Sequence, residues 1–299
     1  MIIVFANGQL GNQLILLIAL AKLRKSTETI FALHFNAARE FVGEIPGVTW
    51  LGFGNGYRYR ERVAAKIISL LFHHLPKSLR ALFFSTVSEA NGGEPLVQRA
   101  SISLFRNILW IHDCYFQHAS LLEPDRDSGA SPLSNNTDSF ARDWIIQHLP
   151  SPSHKPVFVH LRLKDYLHWT PVGLKQGGSV LPASYFSDSI HYLTSTLGQP
   201  FFLLASDDLP LAKHLLSDCL TDLSWTVIDL PPAQTLAIMS HASAGVLSAS
   251  SFSWCAAYLS FLQGRERLFL APEYWLGFGT TEFNPKSFHF QFLQYRSVS

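Results

Sequence analysis

The sequence predicts an α/β protein of two domains, with a parallel, doubly wound sheet in the C-terminal one. Three observations carry that expectation. The length, 299 residues, sits where single hydrophobic cores usually split. Short apolar runs alternate with segments of helical periodicity, most clearly beyond residue 150. The stretch Asp125 to Asp138, DRDSGASPLSNNTD, has the Asp, Ser, Asn, Gly and Pro composition of an exposed connector. The boundary is therefore expected near 140–155, giving domains 1–150 and 151–299.

Taken in order, Ile2 to Phe5 is a β-branched and aromatic run that ends in a Gly-containing loop, and Asn12 to Lys25 has helical spacing: strand, loop, helix. The second half repeats this pattern. Strands are expected at Val157 to Leu161, Phe201 to Ala205, Trp225 to Leu230, Ala244 to Leu247 and Leu268 to Leu270. Helices are expected at Ala183 to Thr196, Asp208 to Leu216, Gln234 to His241 and Ser250 to Leu262. Such sheets bind ligands at the carboxyl ends of their strands, and the polar residues singled out below fall there.

Composition narrows the function. With 47% hydrophobic and 15% charged residues the chain is a folded protein, since soluble chains average about 25% charged and disordered ones more. Lys and Arg (23) nearly balance Asp and Glu (22), so no general positive field gathers nucleic acid, and no nucleic-acid partner is expected. Cys114, Cys219 and Cys255 show no CxxC spacing and read as reduced thiols of a cytoplasmic protein. The 13 His form no HExxH or HxH cluster, so no metal is expected. Asn7, Gln9, Asn12 and Gln13 interrupt the apolar start, Met1 to Leu23, which reads as folded core rather than a signal or membrane segment. Residues 57–84 carry six Lys or Arg and one acid, Glu61, with Val63, Ile67, Leu70 and Leu71 as an apolar stripe. That pattern suits either a solvated helix packed on its own domain or peripheral contact with an anionic membrane, which would place the protein at the inner membrane face.

Three constellations point to chemistry. Gly8-Gln9-Leu10-Gly11-Asn12-Gln13 joins the first strand to the first helix, where glycines admit a close-lying group and Asn12 and Gln13 offer neutral hydrogen bonds; a purely structural turn is the alternative. His160 and Arg162 share one face at the end of a strand, and the planar guanidinium suits a phosphate or a departing diphosphate. An Arg162–Asp165 salt bridge closing a loop is the other reading. Ser248-Ala249-Ser250-Ser251-Phe252-Ser253 opens an apolar helix and forms either an anion site or a cap. Ser206-Asp207-Asp208 occupies an equivalent position and has the same two readings.

Together these stretches resemble the alpha-1,2-fucosyltransferase family, glycosyltransferase family 11. GQLGNQ stands for the family's GGLGNQ, CYFQ (Cys114 to Gln117) for GYFQ, HLRLKDY (His160 to Tyr166) for HxRRGDY, FFLLASDD (Phe201 to Asp208) for FxFSDD, and SASSFSWCAAYL (Ser248 to Leu259) for SNSSFSWWxAxL. The resemblance implies a GT-B type glycosyltransferase of two facing Rossmann-like domains, the N-terminal on the acceptor side and the C-terminal binding nucleotide sugar. It further implies a metal-independent, inverting enzyme that uses GDP-beta-L-fucose and no other cofactor, and a glycan acceptor, free or lipid-linked. Donor contacts would come from Gly11, Asn12, Gln13, His160, Arg162, Ser206, Asp207, Asp208, Ser250, Ser251 and Phe252. His112, Asp113, Tyr115 and Gln117 would line the acceptor side. Arg162 would stabilise the leaving diphosphate. Asp165, Asp113 and His112 are each available as general base or as structural groups, and Asp165 is placed first. Tyr115, Phe116 and Trp169 could form a sugar platform or core.

The chain departs from the family pattern at three positions. Leu163 stands where the family has a second Arg, with Lys164 following, and Thr235 stands where it has an acid that holds the guanine edge; Asp229 is a substitute for that acid. These departures favour, as alternatives, a glycosyltransferase for another nucleotide sugar or a non-catalytic nucleotide- or glycan-binding relative.

Overall fold

The computed structural model describes residues 1–54, 56–89, 95–100, 107–124, 133–169, 179–263, 267–273 and 289–298. Most of the expected connector, 125–132, lies outside them. The chain forms two compact units, Met1–Glu123 and Pro124–Ser299. The sequence placed the division at 150/151. The units divide earlier because the helix Asn135–His148 packs on the helix Pro232–His241, with Asp138 accepting from His241 at 2.9 Å.

The N-terminal unit runs β1 (Ile2–Phe5), α1 (Leu10–Leu23), β2 (Ile30–Leu33), α2 (Asn36–Val42), β3 (Val48–Leu51), α3 (Tyr59–His74), α4 (Lys77–Phe83), β4 (Ser85–Glu89), β5 (Pro95–Gln98), β6 (Leu109–Ile111) and α5 (Ala119–Leu122). Its sheet has the order β3-β2-β1-β6-β4-β5, parallel except for the β4–β5 pair. Helix α1 starts at Leu10, two residues before the sequence expectation, because Gly8 takes φ 67° and completes the turn out of β1 within one residue. A Cβ on Gly8 would collide with the Asn12 side chain.

The C-terminal unit runs α6 (Asn135–His148), β7 (Lys155–Leu161), a 3₁₀ turn (Asp165–Leu167), α7 (Ala183–Thr196), β8 (Pro200–Ser206), α8 (Leu209–Leu215), α9 (Ser217–Leu220), β9 (Trp225–Val227), α10 (Pro232–His241), β10 (Ala244–Val246), α11 (Ser251–Leu262), β11 (Leu268–Pro272) and β12 (Gln294–Arg296). Its sheet is parallel throughout, β12-β11-β10-β7-β8-β9, as expected for a doubly wound domain. Residues 156–161 of β7 are all buried, which is how a central strand covered on both faces reads. Val157, Val159, Leu161 and Leu163 form one core with Phe186, Ile190, Phe202, Leu204 and Val246. Gly245 is required in β10 because a Cβ there would enter the Phe158 ring.

Each sheet has one point where strand order reverses. In the C-terminal unit it lies between β7 and β10, and in the N-terminal unit between β1 and β6. Loops leaving paired strands on either side of such a point splay apart and leave a crevice at their carboxyl ends. The HLRLKDY and SASSFS stretches leave β7 and β10; GQLGNQ and CYFQ leave β1 and β6.

Candidate active site

At the C-terminal unit's switch point, His160 is the penultimate residue of β7 and is 5% exposed. Its Nδ1 shares a hydrogen bond with Ser248 Oγ at 2.8 Å, joining the loops after β7 and β10, and its ring lies 5.4 Å from that of Phe252. Burial, and secondarily the Arg162 charge, push the imidazole down to about 3, so it is neutral at pH 7.

Arg162 leaves the end of the same strand. Its Nε and Nη2 meet the two Asp165 oxygens, both at 2.9 Å, and Nη1 lies 3.3 Å from Asp207 Oδ2. Burial opposes the guanidinium charge, but the two carboxylates outweigh it, and the group is held charged. Asp207 Oδ1 also accepts the Leu163 backbone N–H at 2.8 Å, while its buried Oδ2 has no hydrogen bond among the described residues. Arg162 is thus locked by a bidentate partner on its own loop and a second carboxylate from the loop after β8. The salt-bridge reading of Arg162 and Asp165 and the anion reading of Arg162 are therefore both compatible with its geometry. The Asp165 carboxylate is committed to that pair.

The first turn of α11 completes the crevice. Ser250 is its N-cap, its Oγ accepting from Phe252 N at 3.3 Å, and Ser253 Oγ donates to the Ser248 and Ser250 carbonyls. Ser251 and Phe252 stay partly exposed at a helix start, where backbone N–H donors point outward. Asp208 is consumed as the N-cap of α8, accepting Leu211 N at 3.1 Å, and Ser206 Oγ accepts Asp208 N.

One group the sequence reading passed over is Tyr166, whose hydroxyl donates to Ala249 O at 2.8 Å and ties the Arg162 loop to the α11 entry. Burial pushes its phenol up to about 12. Its place in HLRLKDY was the available signal. Leu163 is fully buried in the core and Lys164 is exposed, so the second family Arg has no counterpart at either position. Thr235 begins α10's buried face and its hydroxyl donates to Leu230 O at 2.9 Å; Asp229 is exposed just before that turn.

The N-terminal unit's switch point is built differently. Gln13, 7% exposed, donates to Gly8 O and accepts from Ala38 N, both at 3.1 Å, stapling the β1–α1 loop to α2. Gly11 is buried in the first turn of α1 and Asn12 is half-buried beneath Gly8. After β6, His112 Nδ1 meets Asp113 Oδ2 at 2.7 Å, and the His112 ring packs against Phe5, Phe72 and His73. Burial lowers the His112 imidazole despite Asp113. Tyr115 is exposed and Gln117 half-buried, whereas Phe116 is fully buried core. Glu89 accepts the Tyr115 and Phe116 backbone N–H groups on one oxygen. Nothing in the sequence signals that role, because Glu89 lies 26 residues before Tyr115. His34, Asp113 and Phe116, the non-glycine residues with φ between 51° and 65°, all follow strands of this unit.

These two arrangements set the chain among known proteins. Residues 132–277 match glycosyl transferase family 11. That stretch belongs to the family. It contains β7, β8, β10 and α11 with Arg162, His160 and the Ser248–Ser253 turn, and the family assignment therefore covers the whole C-terminal crevice. Among solved structures, a glycosyl transferase family 9 protein from Veillonella parvula is similar over 99% of this chain and 85% of its own, at 13% identity and TM-score 0.52. A POFUT1 structure in complex with GDP-fucose is similar over 90% of this chain and 97% of its own, at 14% identity and TM-score 0.50. These likenesses show the GT-B glycosyltransferase fold. No curated protein matches the sequence significantly. Among the described residues, no helix is long and apolar enough to cross a membrane, and no three His, Cys, Asp or Glu are grouped as metal ligands.

Proposed function

We propose that this protein transfers L-fucose from GDP-beta-L-fucose to a glycan hydroxyl, with inversion, without a metal, and forming an alpha-1,2 linkage. The observation that carries the reading is Arg162, held charged by Asp165 and Asp207 on a loop that Tyr166 ties to the entry of α11. A diphosphate gathers charge as the glycosidic bond breaks, and a preorganised cation with helix N–H donors stabilises that charge most in the transition state. His160, neutral and bonded to Ser248, fixes the separation of the two loops without adding a second charge. The family match and a fold shared with a protein whose structure contains GDP-fucose support this donor.

Inversion in a single displacement requires a base for the acceptor hydroxyl. Asp165 came first in the sequence reading, but its oxygens are taken by Arg162, which fits a loop-stabilising role. His112 fits the base role better. Neutral at pH 7 and backed at Nδ1 by Asp113, its Nε2 is left as the proton acceptor. Tyr115, Gln117 and Asp113 would bind the sugar around it.

One observation favours a second reading, a different nucleotide sugar. Thr235 is bound to its own turn, so no carboxylate stands at that position for guanine, and Asp229 would have to serve instead. Calorimetric titration with GDP, GDP-fucose, GDP-mannose and UDP decides. Binding of GDP and GDP-fucose alone supports the fucosyl donor, and binding of UDP transfers the proposal to the second reading. Loss of GDP binding on Asp229→Ala would identify the substitute for the missing acid.

A further inference from the structure

The transfer reading leaves one side of α3 without a role. The helix is apolar on two opposite faces. Ala64, Ala65, Ile68 and Phe72 turn inward and pack with Phe5, Leu33, Leu51 and Trp110. On the outer side Tyr59, Val63, Ile67 and Leu70 recur at i, i+4, i+8 and i+11, which places them on one stripe. They are 75%, 38%, 53% and 56% exposed, with Leu71 beside them at 47%. In α4, Leu79 and Leu82 are exposed as well. Of the fourteen exposed large hydrophobics among the described residues, seven lie between Tyr59 and Leu82, so this is a patch and not the ordinary scatter of surface apolar groups.

The charge around the stripe has one sign. Arg62 and Lys66 border it on one side and Arg60 on the other; all three are exposed and have no ion-pair partner among the described residues. Glu61, the segment's sole acid, lies on the inner side and accepts the Arg58 backbone N–H, so it does not interrupt the face. Residues 57–84 hold six Lys or Arg in a chain of net charge +1, and the remainder of the chain is net negative.

We propose that the outer face of α3 and α4 lays this protein on an anionic bilayer surface. Tyr59, Val63, Ile67, Leu70 and Leu71 enter the boundary between head groups and acyl chains, and Arg60, Arg62 and Lys66 meet lipid phosphates. A second copy of the chain is a poor occupant, because two such faces would bring their unpaired cations together. The centre of the stripe is hydrocarbon, which suits lipid and not a nucleic acid. The inference does not rest on the transfer reading. A bound bilayer would present membrane-anchored molecules to the protein whatever its donor.

The test is co-sedimentation of the full chain with phosphatidylcholine vesicles, with and without phosphatidylglycerol. The expected result is binding only to vesicles containing phosphatidylglycerol, weakened by salt. Ile67→Glu with Leu70→Glu should lower it at least about tenfold. Arg62→Gln with Lys66→Gln should lower it about tenfold or more, since each basic side chain near such a surface contributes about 1 kcal/mol. These side chains are exposed, so melting temperature and GDP titration should match the wild type, which separates this outcome from any failure of the donor reading. Three results would overturn the proposal: no binding, binding indifferent to phosphatidylglycerol, or wild-type binding by both pairs of variants. A wild-type dimer in light scattering that Ile67→Glu converts to monomer would assign the face to a second copy instead.

Discussion

The two switch points are built on the same topology and filled with opposite chemistry. In the C-terminal unit the crevice holds a guanidinium pinned by two carboxylates, a neutral buried histidine and the start of a 12-residue helix. In the N-terminal unit it holds a His–Asp pair among aromatic rings, the Gln13 amide already spent on the backbone, and Asp113 and Phe116 in the left-handed region. The first arrangement presents a preoriented guanidinium to an anion, with Asp165 and Asp207 offsetting its charge. The N–H groups in the first turn of α11 must therefore supply part of the stabilisation when a diphosphate departs. In the proposed reaction the second would receive the uncharged acceptor and its hydroxyl proton. The topology puts a crevice in each unit, and the side chains at the strand ends decide what each crevice can hold.

The comparison breaks most severely if the C-terminal crevice can be made more basic. Leu163→Arg installs the second arginine of the family motif at a fully buried core position. The expected outcome is destabilisation on the order of 3–5 kcal/mol from an uncompensated buried charge, measured by denaturant unfolding. A folded variant with tighter GDP binding would show that this side chain reaches the donor. Arg162→Ala comes next, with a loss of about 10² to 10³ in turnover at saturating donor. Arg162→Lys should recover only part, because an ammonium cannot match both Asp165 oxygens. Wild-type turnover by Arg162→Ala would remove the assigned centre of the crevice. In the N-terminal crevice, His112→Gln should lower turnover about 10²-fold while leaving GDP affinity unchanged. A loss of GDP affinity instead would mean that the division of labour between the units is wrong.

Legibility in the sequence follows the same division. In the C-terminal unit every expected strand and helix is present, with α7 at Ala183–Thr196 as read. Buried parallel strands such as Phe201 to Ala205 are apolar throughout and are punctuated by Gly, Pro or polar turns. In the N-terminal unit β1, α1 and the helix within 57–84 were legible, and the remaining strands were not. Its other strands are short runs such as IFAL, VTWL and LWI, too brief to show a period, and β5 is largely exposed. Motif positions were legible, but partners were not. His160 meets Ser248 across 88 residues, and Glu89 caps Tyr115 and Phe116 from β4, the strand beside β6, pairings that only the sheet order creates. The stripe Val63, Ile67, Leu70 and Leu71 was legible as apolar, but its outward direction depends on a second apolar face, Ala65 and Phe72, which takes the core side.

The last expected effect concerns pH and sharpens the claim that His160 is a neutral spacer. In the unfolded chain an imidazole titrates near 6.5, whereas in the folded protein burial holds His160 at about 3. Between these values the unfolded state binds a proton that the native state refuses, so His160 lowers stability as pH falls from about 6.5 towards 3, by up to about 1.4 kcal/mol per pH unit. His34, His112 and His241 are lowered in the same direction, and the wild-type acid slope therefore contains several contributions. His160→Asn removes one of them. The variant should be less stable than wild type at pH 7, where the Ser248 contact is altered, and the gap should narrow as pH falls through 6 to 4. Parallel stability curves would instead mean that His160 titrates in the folded protein as it does in the unfolded chain, and burial would then not be what keeps it neutral.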